Sequence, residues 1–190
     1  MTQANDSAIH PLLSQRRSPY HWDGARNVSP DDLRALFEAA RWTMSSYNEQ
    51  PWRYIVGDRA RDPELWQRVL NVLVEGNQAW AKNVPVLVLG VFSKSFAYNG
   101  KDNKAAAHDL GAASASLTVE ATARGLHVHQ MIGLEPEKAH AEFGLDDDLE
   151  VFTALAIGYA AEDDGSELAE RDRRPRERKP LEDLILAGQI

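Results

Sequence analysis

The chain has 190 residues, 43% of them hydrophobic, and a formal net charge of −8, which suits one domain with a real apolar core and is too short for two. The acidic balance argues against general binding to nucleic acid or anionic membrane, and the absence of cysteine excludes disulfides, thiolate metal sites, iron–sulfur clusters and a cysteine nucleophile. No apolar run reaches the ~18 residues of a membrane span, and MTQANDSAIHPLLSQRR lacks the apolar region of a signal peptide, so the expectation is a soluble, cytoplasmic protein.

Residues 1–8 read as a disordered N-terminus. Ile9 to Gln15 reads as a short helix with Leu12 and Leu13 inward, followed by Arg16-Arg17-Ser18. Pro19 stops any helix there by holding Ser18 extended. Two guanidiniums and a hydroxyl at such a break suit a phosphate or a carboxylate; a basic pair in solvent is the plainer alternative.

Ser29-Pro30-Asp31-Asp32 is a helix start, with a capping serine, proline at the first position and acids at the positive end. Leu33, Leu36, Phe37 and Ala40 follow at i, i+3, i+4 and i+7 as one buried stripe, and the helix should end between Trp42 and Met44. A polar link comes next with Ser45, Ser46, Asn48 and Gln50, closed by Pro51 and Trp52. These side chains bring donors and acceptors without charge, which suits the edge of a neutral heterocycle better than bond cleavage. Trp52 to Val56 then reads as a short strand.

Pro63 to Val74 reads as a helix with Leu65, Val69 and Val72 or Leu73 inward, and Asn77 to Lys82 as a short helical piece. PVLVLGV, from Pro85 to Val91, is a central strand buried on both faces. Phe92 to Asn103 has no periodicity and is a candidate mobile loop beside a site. The longest helix is expected from Lys104 to about Ala123, its buried line Leu110, Ser114, Leu117 and Ala121, ending at Arg124-Gly125. Leu126 to Ile132 reads as extended with a turn at Gly133. A helix should open at Glu135-Pro136-Glu137 and close at Gly144, and Val151 to Tyr159 is another strand. The remainder is polar, with six basic residues in the nine from Arg171 to Lys179, then weakly hydrophobic around Leu181, Leu184 and Ile185. Helices interleaved with a few strands, without an early glycine-rich loop, favour a three-layer α+β domain over a doubly wound nucleotide fold.

The sequence contains no G-x-G-x-x-G, no G-x-x-x-x-G-K-[ST], no G-x-S-x-G and no H-E-x-x-H. His127 and His129 share one face of a strand and His108-Asp109 lies elsewhere. Core or surface histidines are the better reading than metal ligands, so no metal is expected. Asp172 and Glu177 interrupt the basic run, which argues against nucleic acid.

Taken together, Arg16-Arg17-Ser18, the helix from Pro30 and SSYNEQPWRYIV resemble the nitroreductase family of flavoproteins. The likeness continues through AAAHDLGAASASLTVEATARGL (105–126), His129 to Leu134, Ala141 to Leu145, Ile157-Gly158-Tyr159 and Arg178 to Leu181. The resemblance implies a three-layer α/β/α fold with a mostly antiparallel central sheet flanked by helices. It implies an FMN-binding domain over 9–165 and a C-terminal extension, 166–190, exchanged between the subunits of a homodimer with FMN at the interface. Arg16, Arg17 and Ser18 match the opening phosphate and ribityl contacts, and Asn48, with Gln50 beside it, matches the contact to the isoalloxazine edge. Met131, Ile132 and Gly133 form the turn in which the Ile132 backbone N–H faces flavin N5. Arg178 and Arg176 match the basic residues that close on the phosphate. Tyr20 departs from the family's pattern, which carries Arg or Lys there beside the pyrimidine end; either another cation substitutes or the flavin potential is lower.

The activity implied is ping-pong electron transfer from NADH or NADPH through FMN to a small acceptor such as a nitroaromatic or quinone. The alternatives are a specialised flavin enzyme on the same scaffold (dehalogenation, azoline oxidation or flavin breakdown) and a flavin-storage protein without turnover.

Overall fold

A computed structural model describes residues 9–188; the expected disordered stretch, residues 1–8, lies outside the described residues. The helices are α1 (Pro11–Gln15), α2 (Pro30–Arg41), α3 (Pro63–Asn71), α4 (Glu75–Ala81), α5 (Ala106–Ala123), α6 (Pro136–Phe143) and α7 (Glu167–Arg173). The strands are β1 (Trp52–Asp58), β2 (Val86–Ser93), β3 (His127–Met131) and β4 (Leu149–Gly158). Strand order is β1-β2-β4-β3 with every neighbour antiparallel.

The central place of β2 explains its composition. Val86 and Val88 face α2 and α5, joining Leu33, Leu36, Leu110 and Leu117. Leu87, Leu89 and Val91 face the other way, into a core with Trp66, Val69 and Trp80. Helices thus cover both faces, and the result is the expected α/β/α sandwich around an antiparallel sheet. No helix among the described residues is long and apolar enough to cross a membrane.

Local chemistry sets most boundaries. Ser29 Oγ accepts the Asp32 N–H at 3.0 Å and Pro30 opens α2. Gly144 closes α6 in the left-handed region at φ 58°. The helix expected over Pro63–Val74 is shorter, because Val72 to Leu73 pairs across space instead. The Val72 carbonyl accepts the Glu135 N–H, Leu73 bridges Leu134, and the Val74 N–H donates to the Gly133 carbonyl. Trp66, not Leu65, is the buried residue of its first turns.

Two further stretches take a definite form. The stretch 94–103 is a hydrogen-bonded excursion: Phe96 N–H donates to the Lys101 carbonyl and Asn103 N–H to the Lys94 carbonyl. The polar stretch after 160 contains α7, and α7 packs against its own chain.

Candidate functional site

The site begins where the N-terminal segment crosses the end of the sheet. Trp22 forms a bridge with Ala160, the Asp23 N–H donates to the Tyr159 carbonyl, and the Ala161 N–H donates to the His21 carbonyl. Tyr20 is held from below by aromatic packing, its ring 4.6 Å from His129 and 5.2 Å from Trp80. His129 Nδ1 pairs with the Pro19 carbonyl at 2.9 Å. Residues 19–23 are therefore fixed upon β3, α4 and the end of β4 before any tail residue is considered.

The tail is clasped to it. The Asp172 carboxylate accepts the Tyr20 N–H at 2.9 Å and the His21 N–H at 2.8 Å. Arg171 lies over the Tyr20 ring at 3.4 Å, a cation–π contact. Arg176 donates to the Arg16 carbonyl at 2.6 Å and also to the Ser14 carbonyl. Between the two segments lies a cavity of about 500 Å³ whose lining includes seven arginines (16, 17, 171, 173, 174, 176 and 178) and two aspartates (163 and 172). Asp163 pairs with Arg173, and Asp172 is engaged by amides. Most of the positive charge in the cavity is therefore left for a guest.

The electrostatics carry the same message. Partial burial, then the guanidiniums of Arg17, Arg178 and Arg16, pull the Arg176 pKa down. Like charges crowded at one place call for an anion, and arginine forks suit phosphate oxygens. His127 Nδ1 is buried without a hydrogen-bond partner, and His127 lines the same cavity. Burial lowers the pKa of both His127 and His129, so both are neutral near pH 7 and His127 can serve a ligand hydroxyl.

From this cavity β3 leads to the second part of the site. His127 and His129 face the cavity side, and the strand ends at Met131, which is buried. Ile132 follows, 69% exposed, and its N–H goes to no acceptor outside the sheet among the described residues. The turn is held from behind. Asn77 Nδ2 donates to the Gly133 carbonyl at 2.9 Å, and a Cβ at position 133 would stand 2.4 Å from that same nitrogen. Gly133 is needed for this close approach rather than for an unusual φ.

Asn48 and Gln50 lie elsewhere. They belong to the link before β1, whose first residue Trp52 pairs with Phe92, whereas the arginine cavity adjoins Ala160, beyond the Val86–Ile157 pair. The length of β2, about 25 Å, separates the two within one chain. The link itself is a shaped element. Tyr47, Asn48 and Gln50 have φ values of 53°, 54° and 52°, left-handed conformations that L residues adopt at a cost. Asp109, buried, accepts the Ser46 N–H at 3.0 Å, Ser45 Oγ accepts the Gln50 N–H at 3.0 Å, and Glu49 accepts the Ala97 N–H at 2.8 Å. Asn48 is thereby exposed and aimed outward.

Of the sequence candidates, Arg16, Arg17, Ser18, Tyr20, Arg176 and Arg178 come together at one cavity; Met131, Ile132 and Gly133 form a turn farther along β3. Sequence reasoning missed Arg171, Asp172, Asp109 and Asn77. A helix signal did exist for the first two: Ser166 caps Ala169, acids fill the first turn, and basic residues fill the last.

Comparison with known proteins identifies the family. The profile of the nitroreductase family matches residues 13–159. An uncharacterized 15.4 kDa protein of Mycolicibacterium smegmatis is 36% identical over 151 residues, covering 72% of this chain and 96% of its own. Protein DrgA of Synechocystis sp. is 30% identical, over 80% of this chain and 83% of its own. A crystal structure of an oxidoreductase containing FMN superposes with a TM-score of 0.88 at 31% identity, covering 100% of this chain and 98% of that one. With a family profile spanning most of its length, and a cavity and turn built as described, this chain belongs to the nitroreductase family.

Proposed function

We infer that this chain is an FMN-dependent NAD(P)H oxidoreductase that passes electrons to a small acceptor such as a nitroaromatic or quinone. The observation that carries this reading is the arginine cavity, joined along β3 to the turn at Ile132, a residue that is 69% exposed. The donor set suits FMN. Arginines 16, 17, 176 and 178 would hold the phosphate, Ser18 and His127 offer partners for ribityl hydroxyls, and Ile132 N–H would meet N5. FMN, when bound, would supply the redox chemistry that links a nicotinamide donor to the acceptor. The chain's own part is to bind, orient and tune. Arg171, over the Tyr20 ring, would supply the positive charge that Tyr20 lacks. No side-chain nucleophile is required.

The proposed assembly is a cytoplasmic homodimer with a site shared between subunits. Asn48 and Gln50 stand too far from the arginine cavity of their own chain, so a second copy supplies them. Trp42, Met44 and Tyr47 are exposed beside that link, and the outer side of α5 carries the small residues Gly111 and Ala115, a surface on which another helix packs closely. Leu181, Leu184 and Leu186 are likewise exposed at the end of the tail, as expected of an extension that completes its packing on the partner.

The test is the visible spectrum of purified protein loaded with FMN. NADH or NADPH should bleach the flavin band without oxygen, and a nitroaromatic or quinone should restore it. Protein that binds no FMN contradicts the reading, and a bound flavin that neither nicotinamide reduces makes the chain a storage protein.

A further inference from the structure

We propose that Asp172 is a positioning residue, a latch whose carboxylate fastens α7 to the backbone amides of Tyr20 and His21 and so assembles the arginine pocket. The inference rests on the reading of that pocket as the seat of the FMN phosphate.

A carboxylate among seven arginines would be expected to form ion pairs. Among the described residues, no Arg or Lys nitrogen lies within salt-bridge distance of Asp172. Its oxygens instead accept the amides of Tyr20 and His21, charge-assisted bonds that span more than 150 positions of sequence. Near an anion site a negative charge opposes the guest by Coulomb's law. Its presence makes sense as geometry. Residue 171 precedes the latch and lies over the Tyr20 ring; residues 173, 174 and 176 follow it, and all of them line the cavity. Tyr20 is in turn fixed by His129 and Trp80. Order thus passes from the sheet to Tyr20, from its amide to Asp172, and from Asp172 to the arginines of the tail.

The two effects of Asp172 have opposite signs, which makes the test decisive. In Asp172→Asn, loss of charge alone would tighten the binding of FMN. Loss of the latch should weaken it, by about 10-fold or more for charge-assisted bonds of this kind. Riboflavin, which has no phosphate, is the control and should change by no more than about 2-fold. The dissociation constants of both are measured on wild type, Asp172→Asn and Asp172→Glu by flavin fluorescence. The latch predicts that FMN affinity falls selectively in Asp172→Asn and recovers at least in part in Asp172→Glu. It predicts also that amide hydrogen exchange at Tyr20 and His21 quickens in Asp172→Asn. FMN bound as tightly as, or more tightly than, by wild type overturns the latch, and so does an equal loss for riboflavin. Wild type that binds no FMN defeats the pocket reading itself, a result distinct from either.

Discussion

His129 packs against both the Tyr20 and the Trp80 rings, which also touch each other, with its Nδ1 engaged by the Pro19 carbonyl. Burial lowers its pKa, as it does that of His127, so the folded chain resists protonation at both. The unfolded chain takes up protons at the ordinary value of about 6.5. Stability should therefore fall as pH drops below that value and level off once both folded groups are protonated. Thermal denaturation followed from about pH 8 to about pH 5 should show the midpoint declining on the acid side. His129→Asn, which removes one of the two groups, should flatten the decline; an unchanged slope would show that these imidazoles are not responsible. The residue scale also holds what the sequence hid. His127 and His129 on one strand face looked like a possible metal pair, whereas one meets a backbone carbonyl and the other lines an arginine cavity, and neither partner is near in sequence.

Among the elements, the legible ones were those whose cause is local. Ser29-Pro30 starts α2, Gly144 ends α6, and the apolar run of β2 marks a strand covered on both sides. Less legible were the elements set by contacts from a distance. The end of α3 follows from pairing of 72–74 with 133–135, which no local signal announces. The left-handed run at Tyr47, Asn48 and Gln50 contains no glycine and is braced by Asp109, far from it in sequence, and by Glu49 within it, which reaches the distant Ala97 amide. Two glycines allow these kinds of element to be tested against each other. A Cβ at Gly57 would meet the Trp66 Cα at 2.7 Å, backbone that cannot step aside, so Gly57→Ala should separate α3 from β1 and cost about 1–3 kcal/mol of stability in denaturant unfolding. At Gly133 the obstruction is the Asn77 side chain, which can move. Gly133→Ala should retain most of its stability and lose turnover, because the Ile132 N–H is no longer held in its aim. Equal loss of stability in both variants would deny Gly133 its special place.

At the scale of the molecule, the sheet keeps the two groups of the proposed site apart. Residues 16–20 and 171–178 gather at the Gly158 end, and Asn48 and Gln50 lie at the Trp52 end. Sequence order alone could name both groups but could not show that one chain keeps them apart. If two copies share each site, Arg178→Ala and Asn48→Ala damage different halves of it. A mixed dimer then has one site built wholly from undamaged halves and one carrying both changes. The most direct measurement is turnover of a nitroaromatic with NAD(P)H after the two inactive variants are dissociated together and reassembled. Random exchange should restore about one quarter of wild-type activity, since about half the dimers are mixed and each has one sound site. Activity no greater than the mean of the two parents, with exchange of subunits verified, would contradict a shared site.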